Sequence, residues 1–126
     1  MCILRDKKDA HVDNDYIHAN FVDGYMQRNA YILTQVPLKE TLLDYWLMIW
    51  QNCVQVIVMT SKFEFKTETH YWPMTPGETM HISDAVSVKN LKTENSFQGY
   101  RLSCLLLTNL DVSFNLGLIC CYLCIL

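Results

Sequence analysis

The chain has 126 residues, 51% of them hydrophobic and 18% charged, with a net charge of −3 and a pI near 5.7. A chain of this length buries roughly two-thirds of its unfolded surface, which suffices for one core and sets one domain as the ceiling. The acidic balance supplies no basic stripe for a phosphate backbone and so argues against nucleic acid as a partner.

Met1 to Asn14 is charged and polar apart from Ile3, Leu4 and Val12, which predicts an exposed lead-in with at most one short strand. Its apolar run is too short for a signal peptide, so a cytoplasmic protein with reduced thiols is expected. Tyr16, Phe21, Val22 and Tyr25, and then Tyr31, Ile32 and Leu33, form β-branched and aromatic runs separated by Asp23-Gly24 and Arg28-Asn29. They predict two strands with an exposed connection. Pro37 suits a first helical turn, and Leu42, Tyr45, Trp46, Ile49 and Cys53 recur at three- and four-residue steps. The spacing predicts an amphipathic helix over about 37–52. Val54 to Met59 is apolar except for Gln55, as a central strand covered on both faces would be. Strand, helix and buried strand in succession predict an α/β fold, a twisted mixed sheet flanked by the helix.

Farther on, Lys62, Glu64, Lys66 and Glu68 alternate with Phe63 and Phe65, which suits a solvated hairpin arm over Ser61 to His70. Thr75-Pro76-Gly77 reads as a turn, and Ile82 to Leu91 and Tyr100 to Thr108 as strands joined through Ser96 to Gly99. The final Leu116 to Leu126 carries no charge, but eleven residues fall short of the roughly twenty that a membrane-spanning helix needs. A terminal strand or helix over the core, or a tail, remains open for it. Palmitoylation of Cys120, Cys121 or Cys124 is a minor alternative.

Several segments resemble the protein tyrosine phosphatase family, in the right order. Asp15-Tyr16-Ile17-His18-Ala19-Asn20 followed by Phe21-Val22-Asp23-Gly24-Tyr25 resembles D-Y-I-N-A-x-[YF]-[IV]-D-G-Y, with His18 in place of asparagine. Tyr31 to Leu38, including Gln35 and Pro37, resembles Y-I-A-T-Q-G-P-L, with Val36 in place of glycine. Glu40-Thr41, Asp44-Tyr45-Trp46, Met48 and Trp50 resemble E-T-x-x-D-F-W-x-M-[VI]-W; Val56 to Met59 resembles I-V-M-L, and Tyr71-Trp72-Pro73 resembles Y-W-P. Five motifs in register are specific where one would be weak. The resemblance runs from Ile3 to Val112. It implies a partial tyrosine-phosphatase fold over residues 1–112, corresponding to the N-terminal part of the catalytic domain, with 113–126 an apolar, cysteine-rich tail outside the family. The runs Asp15 to Asn20 and Leu91 to Asn109 look most like the phosphatases of the polydnaviruses of parasitoid wasps.

The same resemblance implies chemistry that the residues do not supply. The family works through a cysteinyl-phosphate, which needs a thiolate held by a loop of backbone N–H groups and one arginine in a C-x5-R signature. The cysteines are Cys2, Cys53, Cys104, Cys120, Cys121 and Cys124 and the arginines Arg5, Arg28 and Arg101, so no cysteine stands six places before an arginine. Trp72-Pro73-Met74 has methionine where the family's mobile W-P-D loop carries its acid, and it sits at the earlier Y-W-P position, which favours a packing role. The expectation is a truncated, inactive phosphatase-like protein; the alternative is an incompletely recorded fragment of an active one. Phosphotyrosine-signalling proteins are the partners the resemblance implies. No cofactor is expected, and Cys120, Cys121 and Cys124 lack the second Cys/His pair that a zinc site requires. Cys53 and Cys104 read as small buried hydrophobes. If the glycine that Val36 replaces serves a positive φ or a close backbone approach, a β-branched residue there costs on the order of 1 to 3 kcal/mol.

Overall fold

A computed structural model of the chain describes residues 17–60, 70–112 and, as backbone only, 118–125. The expected lead-in at 1–14 and the hairpin arm at 61–69 lie outside the described residues. The first two strands, β1 (Ala19–Gly24) and β2 (Gln27–Thr34), form an antiparallel hairpin. Tyr25 and Met26 are its exposed tip, and Met26 adopts φ 56°. The connection falls at residues 25–26 and not at Arg28-Asn29, which belongs to β2.

The helix begins later than Pro37. Thr41 Oγ1 accepts the Leu38 N–H at 2.9 Å and tightens Lys39–Thr41 into a turn of 3-10 helix, after which α1 runs over Leu42–Gln51. Its buried face carries Tyr45, Trp46, Met48 and Ile49, so the apolar stripe read from the spacing faces the core. The stripe stops one position short, because Cys53 is exposed with φ 50°. Cys104 is partly buried.

The remaining strands are β3 (Val56–Met59), β4 (Thr79–His81), β5 (Val86–Asn95), β6 (Tyr100–Asn109) and β7 (Leu118–Ile125). They form one mixed sheet in the order β3-β7-β6-β5-β4, with β3 parallel to β7 and every other pair antiparallel. Two expectations need correcting. β3 is an outer strand of this sheet, with Val56 59% and Val58 51% exposed, and only Met59 is fully buried. An uninterrupted apolar run does not distinguish a strand covered on both faces from one open on a face. Ile82–Ala85 is a turn and not the start of β5: the Ser83 hydroxyl accepts the N–H groups of Ala85 and Val86, and a short β4 precedes it.

Within the stretch 113–126, for which a terminal strand or a tail stood open, Leu118–Ile125 forms β7 between β3 and β6. Along β5 and β6 the inward residues are Val86, Val88 and Asn90 against Asn109, Leu107 and Leu105. A bulge between Asn90 and Lys92 resets the alternation, so that Thr93 next faces Ser103 and Leu91 is left exposed. Helix, hairpin base and sheet share one core, which joins Ile17 and Ala19 to Trp46, Met48, Met59, Trp72, Val88, Leu105 and Leu107.

Candidate functional site

The phosphatase-like motifs lie far apart in the chain, and most of them converge on one packing centre. Trp46 is fully buried and donates its indole N–H to the Tyr71 carbonyl at 3.0 Å. Tyr45 meets both Trp46 and Tyr71 edge to face at 5.3 and 5.5 Å, and Tyr71 meets Trp72 at 4.7 Å. Pro73 is buried beside them, and its carbonyl accepts the Asn90 side-chain N–H at 2.9 Å. Arg101 Nη2 donates to the Met74 carbonyl at 2.9 Å. The Trp72-Pro73-Met74 loop is thus fixed from both sides, which suits packing and not a mobile acid.

The turn motif has an equally local cause. Asp23 Oδ1 accepts the Asn29 N–H at 2.9 Å across the hairpin end. A Cβ on Gly24 would lie 2.8 Å from Ala30 Cβ and 3.2 Å from the Tyr31 ring, so only glycine fits. Tyr25 is 95% exposed. Asn20 and Gln35 are exposed, Pro37 is buried, and Asp44 and Trp50 are half-buried. Asp15 and Tyr16 lie outside the described residues. His18, in the asparagine position, is exposed, and its carbonyl accepts from the Thr34 hydroxyl at 3.0 Å. Val36 is half-buried against the core and does not adopt a positive φ, so the strain of a left-handed backbone is not there.

Strain sits instead at the helix C-terminus. Cys53 N–H bonds the Trp50 carbonyl and Val54 N–H bonds the Ile49 carbonyl, both at 3.1 Å, with Cys53 in the left-handed region. These are the paired bonds of a Schellman cap, with cysteine where glycine is usual. Beyond the cap, a groove of about 550 Å³ opens between β2, the end of α1 and the start of β3, and its lining includes Tyr31, Met48, Cys53 and Val56. A smaller cavity of about 220 Å³ lies under Pro37 between His18, Gln35 and Tyr45.

Neither hollow is built for nucleophilic chemistry. Cys53 stands at the carbonyl end of α1, which repels an anion, whereas a phosphate cradle uses the N–H end. Among the described residues no group of three or more His, Cys, Asp and Glu side chains could hold a metal. No described helix is long and apolar enough to cross a membrane. The residues that the sequence reading missed are polar and buried: Asn90 and Ser103, linked through the Thr93 hydroxyl at 2.9 and 3.0 Å. Their signal was available, since Asn90 continues the inward alternation of Val86 and Val88 and a polar residue there must find partners.

The sequence model of the protein-tyrosine phosphatase family matches residues 2–116. The chain is 45% identical over 92 residues to mouse tyrosine-protein phosphatase non-receptor type 9, which covers 71% of this chain and 15% of that protein. It is 48% identical over 69 residues to the zebrafish receptor-type tyrosine-protein phosphatase F, which covers 52% of this chain and 4% of that one. The fold superposes on the catalytic domain of human protein tyrosine phosphatase non-receptor type 18 with a TM-score of 0.74 at 27% identity, over 89% of this chain and 39% of that chain. The chain therefore spans only a minor part of the length of these relatives.

Proposed function

From its membership of the protein-tyrosine phosphatase family, to which the chain belongs, we propose that it supplies the N-terminal scaffold of a catalytic domain and that these 126 residues alone do not hydrolyse phosphotyrosine. The observation that carries this reading is the spacing of cysteines and arginines: no C-x5-R loop can be drawn anywhere in the sequence. A cysteinyl-phosphate needs the attacking sulfur, the arginine and converging N–H groups together. Cys53 is exposed and follows the C-terminal, carbonyl end of α1, where no converging set of free N–H groups is expected. The motif residues that are present serve folding, with Trp46, Tyr71, Trp72 and Pro73 in the core and Gly24 in the hairpin end.

The direct test is to incubate the purified chain with a phosphotyrosine peptide and measure phosphate release. Release at the buffer rate is expected. Turnover that disappears when a single cysteine is replaced by serine would defeat the proposal.

A second reading is that the chain is one portion of an active phosphatase, motivated by its coverage of only 39% of the superposed catalytic-domain chain. Reading the transcript past the codon for Leu126 decides it: an H-C-x5-R stretch in any frame supports the reading, and unrelated sequence rejects it. A structure of the non-receptor type 18 enzyme has been solved in complex with HER2 phosphopeptides, and phosphotyrosine-signalling proteins in the cytoplasm are the partners proposed here. Without an anion cradle, the chain alone should bind phosphorylated and unphosphorylated peptides equally, which paired calorimetric titrations would reveal.

A further inference from the structure

One row of register partners crosses four strands of the sheet: Lys92 on β5, Cys104 on β6, Cys121 on β7 and Val56 on β3. The row lies on the face turned away from the core, since the adjacent pair, Thr93 with Ser103, is the inward one and both Lys92 and Val56 are exposed. Lys92 reaches this register through the bulge after Asn90, without which Leu91 would oppose Cys104. Opposite Cα atoms of an antiparallel pair stand about 4.5 or 5.5 Å apart, depending on their hydrogen bonding. Both values fall inside the span of roughly 4.4–6.8 Å that a disulfide bridges. Cys104 carries a thiol and is partly exposed. The other β7 cysteines have no cysteine opposite them: Cys120 pairs with Leu105 and Cys124 with Arg101 on β6. Lys92 adds reactivity. Its pKa is raised first by the hydrogen bond to Glu94 and, among smaller causes, by the charge of Cys104. That attraction is mutual, and an ammonium beside a cysteine favours the thiolate, the form that attacks a disulfide.

We propose that Cys104 and Cys121, with Lys92 beside the attacking sulfur, form a redox switch that a low-molecular-weight disulfide closes and excess thiol reopens, stapling β7 to β6. The Cys104 thiolate attacks one sulfur of the small disulfide, whose S–S bond breaks and releases one small thiolate. The Cys121 thiolate then attacks the Cys104 sulfur of this mixed disulfide and expels the second. Two electrons pass from the cysteine pair to the small disulfide, and the two cysteine protons end, by way of solvent, on two small thiols. Neither cysteine stands in a C-x5-R setting, so this chemistry is separate from phosphate-ester cleavage. β3 meets the sheet through β7, so the staple holds β3 in place as well.

The test treats the purified, reduced 126-residue chain with oxidised glutathione. Mass mapping after cleavage at Asp111 should find a disulfide between Cys104 and the β7 cysteines, with no glutathione retained on Cys104. Cys121→Ser should stop at the glutathione adduct on Cys104, and Cys120→Ser should close as the native chain does. Closure should slow amide exchange at residues 118–125 and 56–59 by about tenfold or more, and dithiothreitol should restore it. Lys92→Gln should slow the first step by about threefold, while Lys92→Arg keeps the native rate. A disulfide at any other pair, an adduct that persists on Cys104 in the native chain, closure in Cys121→Ser, unchanged exchange at 118–125 or an unchanged rate in Lys92→Gln would each overturn the proposal. The native chain is itself the reactant, so the mapping does not depend on the folding of a variant.

Discussion

Replacing Cys53 with glycine should stabilise the protein, although it removes a side chain. Cys53 holds φ 50° at the Schellman cap, and its side chain is exposed. A left-handed backbone costs an L-residue about 1–2 kcal/mol, which glycine avoids. Glycine also frees the unfolded chain, and that entropy takes back about 0.4–1 kcal/mol. Little buried area is lost, and both cap bonds at 3.1 Å are made by the backbone and persist. The net gain is about 0.5–1 kcal/mol, or a midpoint roughly 2–4 °C higher for a domain of this size. Cys53→Ala keeps the Cβ and the strain and should show no gain, and Cys53→Asn should fall between the two. Thermal and urea unfolding followed by circular dichroism give the ranking. A glycine variant no more stable than the alanine variant would show that the left-handed strain argued here is not present.

Other substitutions probe the packing centre and the hairpin. Gly24→Ala drives a Cβ to within 2.8 Å of Ala30 Cβ and should cost about 1–3 kcal/mol, measured by urea midpoint; a neutral result would mean that the hairpin end is looser than described. Trp46→Phe leaves the Tyr71 carbonyl without its donor and opens a void, for an expected loss of about 2–4 kcal/mol in the same assay. Asn90→Ala removes the bond to the Pro73 carbonyl and should cost about 2–3 kcal/mol while speeding amide exchange in the loop that follows Pro73. Lys92 and Glu94 form an exposed ion pair on β5, and the hydrogen bond to Glu94 raises the lysine above its ordinary value of 10.5. Because the folded value is the higher one, any stabilisation is complete below 10.5 and fades as pH rises through the raised value. Solvent exposure keeps it small, so Glu94→Gln should leave the unfolding midpoint at pH 7 and moderate salt unchanged.

Two parts of this fold were legible in the sequence for different reasons. The helix stripe of Tyr45, Trp46 and Ile49 declares itself by periodicity, and the β1–β2 hairpin by its β-branched and aromatic runs. Where backbone detail intervenes, the signal fails. The Thr41 hydroxyl delays the helix, the Ser83 hydroxyl bends Ile82–Ala85 into a turn, and the bulge after Asn90 turns Leu91 outward. Val56 and Val58 misled because β-branched residues suit a covered strand and an outer one alike. Cys53 stood at the right spacing for the core but two residues past the end of the helix. Nothing in the composition of Leu118–Ile125 revealed which strands it would join. For the site, the motifs stood in the sequence in plain order, yet their work in Trp46, Tyr71 and Pro73 is packing, and the missing signature was equally plain.

The insertion of β7 between β3 and β6 imposes an order in time. Val56 pairs with Cys121, so a loop of more than half the chain must close before β3 joins the sheet. During synthesis the four apolar residues of β3 leave the ribosome long before their neighbour does, and they wait beside the nascent helix with both flanks bare. Contacts so distant in sequence form slowly, and a waiting apolar strand is prone to aggregate. Cells making this polypeptide therefore have reason to shield Val56–Met59 with a chaperone until residues 118–125 emerge.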